Sequence, residues 1–433
     1  MRCLEDGEFL TMQHTIDAEK FGPLGKPIAD AIKACVHCGF CLPACPTYRE
    51  FGQEMDSPRG RIVLVKQVLE GTLPWTDVQP HIDRCLGCLA CEPACPSGVA
   101  YGDLISPFRV LAEAKVKRPL GVKVRRWLAG QTIPFPWRFR LALLGAKLGK
   151  MFSGLVPAFF RPMLELAPSS IPAGVKLARV HPAKGERRGR VALLAGCAQQ
   201  VLDPDINQAT IEVLTRNGVE VIVPDTQGCC GGLAWHTGDL RAAQAFARKN
   251  LQAFSGDVDA ILTNAAGCGS AMHEYHLILK GTPDEGRARA FRDRVMDVSV
   301  YLVRLGLRET PEGWSDGKGL RVAYHDACHL ANAQGVRNEP RALLRAVPGL
   351  EVRELTDPHI CCGSAGTYNL DQPETAASLG AKKASAVLAT GAEVVASGNI
   401  GCLTQLRAHL EKTGTSVRVR HTMQILRDAY GEK

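Results

Sequence analysis

The sequence has little that would bind a nucleotide or cross a membrane. No GxGxxG follows a predicted strand anywhere in its 433 residues, and no other dinucleotide fingerprint is present. A flavin or nicotinamide is therefore expected elsewhere. There is no long lysine or arginine run and the charge bias is mild, so a nucleic-acid face is not expected. The opening stretch MRCLEDGEFLTMQHTIDAEK carries acidic groups and no apolar core, so it does not read as a secretory signal. Aromatic residues at 6% and charged residues at 22% are ordinary for a soluble globular chain and exclude disorder. Cysteine, by contrast, is abundant. The 17 cysteines are too patterned, in too long a chain, to be a secreted disulfide framework.

The pattern is a spelling used twice. Cys35-Val-His-Cys38-Gly-Phe-Cys41-Leu-Pro-Ala-Cys45-Pro46 and Cys85-Leu-Gly-Cys88-Leu-Ala-Cys91-Glu-Pro-Ala-Cys95-Pro96 both read CxxCxxCxxxCP. This is the ligand run of two-cluster bacterial ferredoxins. Three thiolates two residues apart wrap one iron–sulfur cube, which takes one soft ligand per iron. The fourth, stepped back and followed by proline, reaches the other cube. One [4Fe–4S] cluster is therefore expected on Cys35, Cys38, Cys41 and Cys95, and a second on Cys85, Cys88, Cys91 and Cys45. Zinc, the rival reading, is usually closed by two CxxC pairs rather than by triplets with a distant fourth ligand. Thiolates kept as iron ligands need a reducing compartment, which places the chain in the cytosol. The formal charge of +8 falls to roughly +4 once two cubes of about −2 each are counted. Cys3 reads as a free thiol of no consequence.

Between the two runs, Ser57-Pro58 reads as a helix cap and first turn, Ile62 to Leu69 as the helix, and Gly71 as its stop. A helical connection points to a ferredoxin domain built of packed helices rather than hairpins. Arg59 and Arg61 either offset cluster charge or are solvated arginines at a surface helix start. His37 reads as an exposed or supporting residue, not a ligand. From Lys115 to His181, Trp127, Phe135, Trp137, Phe139, Phe152, Phe159 and Phe160 interleave with basic residues. Lys147, Lys150 and Pro157 argue against a spanning helix in 141–160. Such a face suits docking on another subunit or domain, the preferred reading, or an anionic membrane surface.

Residues 190 to 433 form a repeat. Cys328 follows Cys197 by 131 residues, Cys361 follows Cys229 by 132, and Cys402 follows Cys268 by 134. Constant offsets mark a duplicated unit. Alternating strands and helices give two α/β halves with parallel sheets, whose ligands gather at strand carboxyl ends, where the cysteines fall. Cys197, Cys229, Cys230, Cys268, Cys328, Cys361, Cys362 and Cys402 would hold a third iron–sulfur cluster or act as redox thiols. The bland alternative makes them small buried hydrophobes left from a lost site.

This second half resembles the paired CCG cysteine-rich domains of heterodisulfide reductase subunits, the anaerobic glycerol-3-phosphate dehydrogenase iron–sulfur subunit and lactate-utilisation proteins. The reductase pattern ends in CxxC, whereas here Ala265 and Asn399 stand at the first position of that pair. A resemblance spanning nearly the whole chain is to the iron–sulfur subunits of bacterial glycolate oxidase (glycolate dehydrogenase). It is carried by Asp56-Ser-Pro-Arg-Gly-Arg-Ile62, Gln67-Val-Leu-Glu-Gly71, Asp83-Arg-Cys-Leu86 and Cys95-Pro-Ser-Gly-Val99. Cys361-Cys-Gly-Ser-Ala-Gly-Thr-Tyr368 and Asn399-Ile-Gly-Cys402 carry it in the second half. The resemblance implies an α plus α/β chain: a helical two-cluster ferredoxin domain (25–115), a basic and apolar helical connector (116–188), and two pseudo-symmetric CCG repeats (189–315 and 316–433). It implies an electron-transfer subunit of a flavin-dependent glycolate dehydrogenase, with flavin and substrate on partner subunits and no catalytic residue here. Electrons from oxidation of glycolate to glyoxylate would pass toward the membrane quinone pool, with peripheral attachment to the cytoplasmic face of the inner membrane. Oxidation of lactate or glycerol-3-phosphate, and a heterodisulfide-reductase-like thiol–disulfide reaction, are the alternatives.

Overall fold

A computed structural model describes residues 12–151, 168, 170–313, 319–358 and 360–431; Cys3 and the 152–160 part of the apolar run lie outside them. The first domain is helical: α1 (Gly25–Lys33), α2 (Pro46–Phe51), α3 (Pro58–Leu69), α4 (Trp75–Asp83) and α5 (Gly102–Lys115). Apolar residues at helical spacing give each helix one buried stripe. Ile28 and Ile32 of α1 meet Val65, Val78, Ile82, Leu104 and Phe108 in one core. Ser57 caps α3 as its sequence predicts, its Oγ accepting from Gly60 N at 2.9 Å. The helix stops before Gly71, whose φ of +79° suits glycine.

The two cysteine runs adopt one loop shape with different residues. His37 and Gly87 occupy equivalent positions with φ of 55° and 65°, and Gly39 and Leu89 do the same with 84° and 55°. Each ligand loop thus needs two left-handed residues, and each run supplies glycine at only one of them. Downstream they part. Cys45-Pro46 opens α2, with proline in the first turn, whereas Cys95-Pro96 enters a turn.

Two further helices, α6 (Leu120–Thr132) and α7 (Pro136–Met151), follow. Their inner face docks on the rest of the chain, in line with the docking preference. Arg125 and Arg126 both pair with Asp371, at 2.8 and 3.0 Å, and Leu143 packs on Val201. Their outer face leaves Trp127, Trp137, Leu141, Leu144 and Leu148 exposed. Among the described residues, no helix is long and apolar enough to cross a membrane. The segment then contributes β1 (Val180–His181), which runs antiparallel to Val219–Ile222 at the edge of the first sheet.

That sheet has the order β1-β3-β2-β4-β5, from β2 (Gly189–Leu193), β3 (Val219–Ile222), β4 (Ala260–Thr263) and β5 (Val295–Asp297), all four parallel. The second has the order β7-β6-β8-β9, from β6 (Leu320–Tyr324), β7 (Leu350–Glu354), β8 (Val394–Ser397) and β9 (Arg418–His421), again parallel. Strands buried on both faces, such as Ala260–Thr263 and Val394–Ser397, are apolar throughout apart from a closing hydroxyl residue. The halves interlock reciprocally. Helix Asp205–Arg216 of the first packs on Thr422–Ala429 of the second, and Val298–Leu305 of the first on Asn338–Arg345 of the second. One core consequently contains Leu214 and Leu302 together with Leu343 and Leu426.

Candidate functional site

The strands aim their carboxyl ends at the cysteines. Cys197 follows β2, Cys229 and Cys230 follow β3, and Cys268 follows β4; Cys328, Cys361, Cys362 and Cys402 follow β6, β7 and β8 in the same way. All 16 described cysteines are free thiols.

In the first domain the thiols gather in two cavities that exchange their fourth members. Cys35, Cys38, Cys41 and Cys95 line one, which Cys91 also touches. Cys45, Cys85, Cys88 and Cys91 line the other. Electrostatic contact follows the same exchange. Burial pushes Cys41 up to about 11, with Cys35 and Cys95 adding to it. Burial likewise raises Cys91, helped by Cys88, Cys85 and Cys45. Burial would raise Cys85 as well, yet Arg61 and Arg109 outweigh it and the net shift is downward. Four soft donors around one cavity match one thiolate per iron of a cube, and thiols this buried ionise only beside positive charge. The residues fit the group.

Around the cysteines, the structure separates the two alternatives open for Arg59 and Arg61. Arg61 is not a solvated arginine: it is 1% exposed, its Nη1 is 3.9 Å from Cys45 Sγ, and its Nε donates to His81 O at 2.7 Å. Asp56, fully buried, anchors it at 3.5 Å and also pairs with Arg84 at 2.9 Å and His81 at 3.0 Å. A buried carboxylate with three basic partners is tolerated because each charge is answered. Arg59 instead clasps Glu54 and donates to His37 O at 3.0 Å. His37 is exposed, as expected for a supporting residue.

The second cysteine run presses on the second repeat. His329 donates to Gly87 O and Asn332 to Cys88 O, both at 3.0 Å, and Tyr368 OH donates to Arg84 O at 3.0 Å. Leu86, Cys88, Cys361 and Tyr368 share one small core. No local signal in the sequence links residues so far apart.

Within the repeats the thiols are close. Cys197 Sγ lies 3.5 Å from Cys229 Sγ, and Cys328 Sγ 4.0 Å from Cys361 Sγ. In the second repeat, a ring nitrogen of His325 and the sulfurs of Cys362 and Cys402 lie within 4.8 Å of one another. Both His325 ring nitrogens are buried without a hydrogen-bond partner among the described residues. Asn399 Nδ2 donates to Cys402 Sγ at 3.3 Å. This is a donor set of metal-binding type, and His325 was not legible as part of it.

Comparison with known proteins agrees with these parts. A 4Fe-4S dicluster domain model matches residues 31–99, and a cysteine-rich domain model matches 191–273 and 322–407. The "Glycolate oxidase iron-sulfur subunit" of Escherichia coli (strain K12) is 40% identical over 410 residues, covering 93% of this chain and 95% of that one. The "Probable glycolate oxidase iron-sulfur subunit" of Bacillus subtilis (strain 168) is 38% identical over 426 residues, covering 92% and 94%. "Lactate utilization protein A" of Bacillus cytotoxicus is 31% identical over 238 residues, 55% of this chain and 98% of that one. A helical dicluster region joined to two cysteine-rich α/β repeats, similar along nearly its whole length to these subunits, belongs to the family of bacterial glycolate oxidase iron–sulfur subunits and is an electron-transfer subunit of an oxidoreductase complex.

Proposed function

We propose that this chain carries electrons from flavin-bearing partner subunits, which oxidise glycolate to glyoxylate, toward a quinone acceptor. Cys35, Cys38, Cys41 and Cys95 hold one [4Fe–4S] cluster; Cys85, Cys88, Cys91 and Cys45 hold the second. When bound, such clusters supply one-electron steps at potentials set by net charge, hydrogen bonds and solvent exposure. The chain's residues set those terms unequally. Cys38 is exposed, with Phe40 65% and Val36 38% exposed beside it, so this loop offers the partner a thiol-bearing apolar face. Cys85, Cys88 and Cys91 are buried, with Arg61 and Arg109 close to Cys85. Entry at the exposed loop and transfer inward through the buried one follows. A further cluster lies among the eight cysteines of the repeats, next in line where Cys328 packs on the core that holds Cys88.

The single observation that carries this reading is the exchange of Cys45 and Cys95 between the two cavities. Cys45→Ser tests it: EPR should show loss or conversion of the cluster on Cys85, Cys88 and Cys91, with the neighbouring one retained. The opposite pattern sinks the assignment. Iron analysis of the intact chain should give about twelve atoms with the further cluster, and about eight without it. Removing this chain from the complex should abolish glycolate-dependent quinone reduction while glycolate still reduces the flavin.

A further inference from the structure

Helices α6 and α7 wall a cavity of about 370 Å³ whose other sides come from both cysteine-rich repeats. Ile133, Phe139 and Leu143 of the helical wall face Leu233 of the first repeat and Leu370 of the second across it. Cys230, Cys268 and Cys328 line the same space. Among the described residues, no aspartate, glutamate, lysine or arginine does. Its polar lining consists of hydroxyls (Thr132, Ser364, Thr404), carboxamides (Asn369, Asn399, Gln405) and two histidines. His236 has its Nδ1 3.3 Å from Ser106 Oγ and its Nε2 buried without a partner among the described residues. With the serine hydroxyl donating to Nδ1, Nε2 carries the proton and is a donor in want of an acceptor. His329 stands edge-on to it, ring centres 5.4 Å apart, its own Nε2 committed to Gly87 O. Asn369 adds a carboxamide.

This lining selects its ligand. A 2-hydroxy acid or an anionic disulfide would leave a carboxylate unanswered in an uncharged space, at a prohibitive desolvation cost. A small apolar molecule without acceptors would leave the His236 N–H unsatisfied. A cavity of this size, its surface mostly apolar and its polar groups neutral hydroxyls, carboxamides and imidazoles, is of the kind that encloses a ring-sized ligand. Beside the thiols of an electron-transfer subunit, that ligand is redox-active.

We infer that this cavity is the binding site for the head group of a lipid-soluble quinone, with the His236 Nε2–H as hydrogen-bond donor to one ring carbonyl. The inference rests on the reading of the chain as a relay to quinone and adds its place. Reduction adds two electrons, delivered singly from oxidation of the 2-hydroxy acid, and two protons drawn from solvent. Both ring C=O groups become C–OH, and the quinol leaves. The outer face of the same helices, with Trp137, Leu141 and Leu148 exposed near Arg138 and Lys147, suits the membrane surface where such quinones reside.

The test uses the intact, cluster-loaded complex. An azido-quinone should photolabel peptides of residues 129–146 and 364–370, and unlabelled quinone should compete. Ala146→Trp or Leu143→Trp, each filling the space, should weaken quinone binding at least tenfold while iron content and EPR spectra stay those of the parent. His236→Leu should weaken it as well, and His236→Gln, which keeps a donor, should restore part of it. If the parent complex reduces quinone but the label falls elsewhere, or both tryptophan variants bind quinone as tightly, the cavity assignment is wrong and the relay reading stands. If the parent complex neither binds nor reduces any quinone, the relay reading falls and the inference with it.

Discussion

The two cysteine-rich repeats share strand order, cysteine offsets and reciprocal helix packing, yet they are built for different neighbours. The aromatic residue after each CCG shows it. Trp235 of the first repeat is fully buried and donates its indole N–H to Glu274 of the same repeat. Tyr368 of the second instead donates to Arg84 of the ferredoxin domain at 3.0 Å. Trp235 is thus tied within its own repeat and Tyr368 to the second cysteine run, while the first repeat reaches the helical domain through His236, which meets Ser106 and accepts from Arg109 of α5. The thiol sites differ in the same sense. His325 stands beside Cys362 and Cys402, where the 131-residue offset places Leu194 in the first repeat. Asn399 donates to Cys402, where the first repeat has Ala265. A duplicated frame has kept its sheets and changed its contacts. The repeat touching the second cluster loop is the one richer in donors.

If that asymmetry is functional, Cys362→Ser should remove about four irons per chain, the content of one cube, while Cys230→Ser removes fewer. Iron analysis with EPR measures both, and equal losses would make the two repeats a single shared site. Trp235→Ala should destabilise the fold by about 3–5 kcal/mol in chemical denaturation, as expected for emptying a fully buried indole site.

The third comparison concerns a pair of equivalent helix caps. Asp297 closes β5 and accepts from Ser299 N at 2.8 Å; His421 closes β9 and accepts from Met423 N at 3.1 Å. Burial pushes Asp297 up to about 6 and His421 down to about 4, the same cause with opposite sign. Folded Asp297 holds its proton where the unfolded chain has released it, so stability drains as pH rises from 3.8 to about 6. Folded His421 stays neutral where the unfolded chain is protonated, so stability drains as pH falls from 6.5 to about 4. The two slopes oppose each other over the same window. Asp297→Asn should leave a protein that loses stability on acidification, and His421→Asn one that loses it on raising the pH through that range. Thermal melts between pH 4 and 7 would read both, and parallel curves would break the equivalence. The smallest effect is at Tyr368. Tyr368→Phe should cost about 1 kcal/mol, the usual worth of one hydrogen bond, without changing iron content.

Much of this architecture was legible because its signals are local. Two CxxCxxCxxxCP runs, the Ser57-Pro58 cap, the Gly71 stop and the cysteine offsets need no knowledge of tertiary structure. Pairings between distant residues were not legible. Arg61 read either as an offset to cluster charge or as a solvated arginine, Asp56 only as part of a family motif, and packing alone makes them a buried group with His81 and Arg84. His236 and His329 come from different repeats and face each other only because the halves interlock. The basic, aromatic segment was legible as a docking surface, but not as the wall of a cavity. An amphipathic pattern shows that a face is covered, not what covers it.

With ligands exchanged as proposed, each cube also works as a staple. The first ties Cys41 to Cys95 across α2, α3 and α4, closing a loop of roughly 50 residues. By chain entropy alone, such closure withholds on the order of 4 kcal/mol of freedom from the unfolded state. The second staple, Cys45 to Cys85, nests inside the first. The second cube lacks its full donor set until residue 91 is made, the first until residue 95, and both need the helices between the runs to have folded. Metal loading therefore waits for the whole domain. Oxidative loss of either cube frees a thiol in the other's run, so damage to one should loosen both.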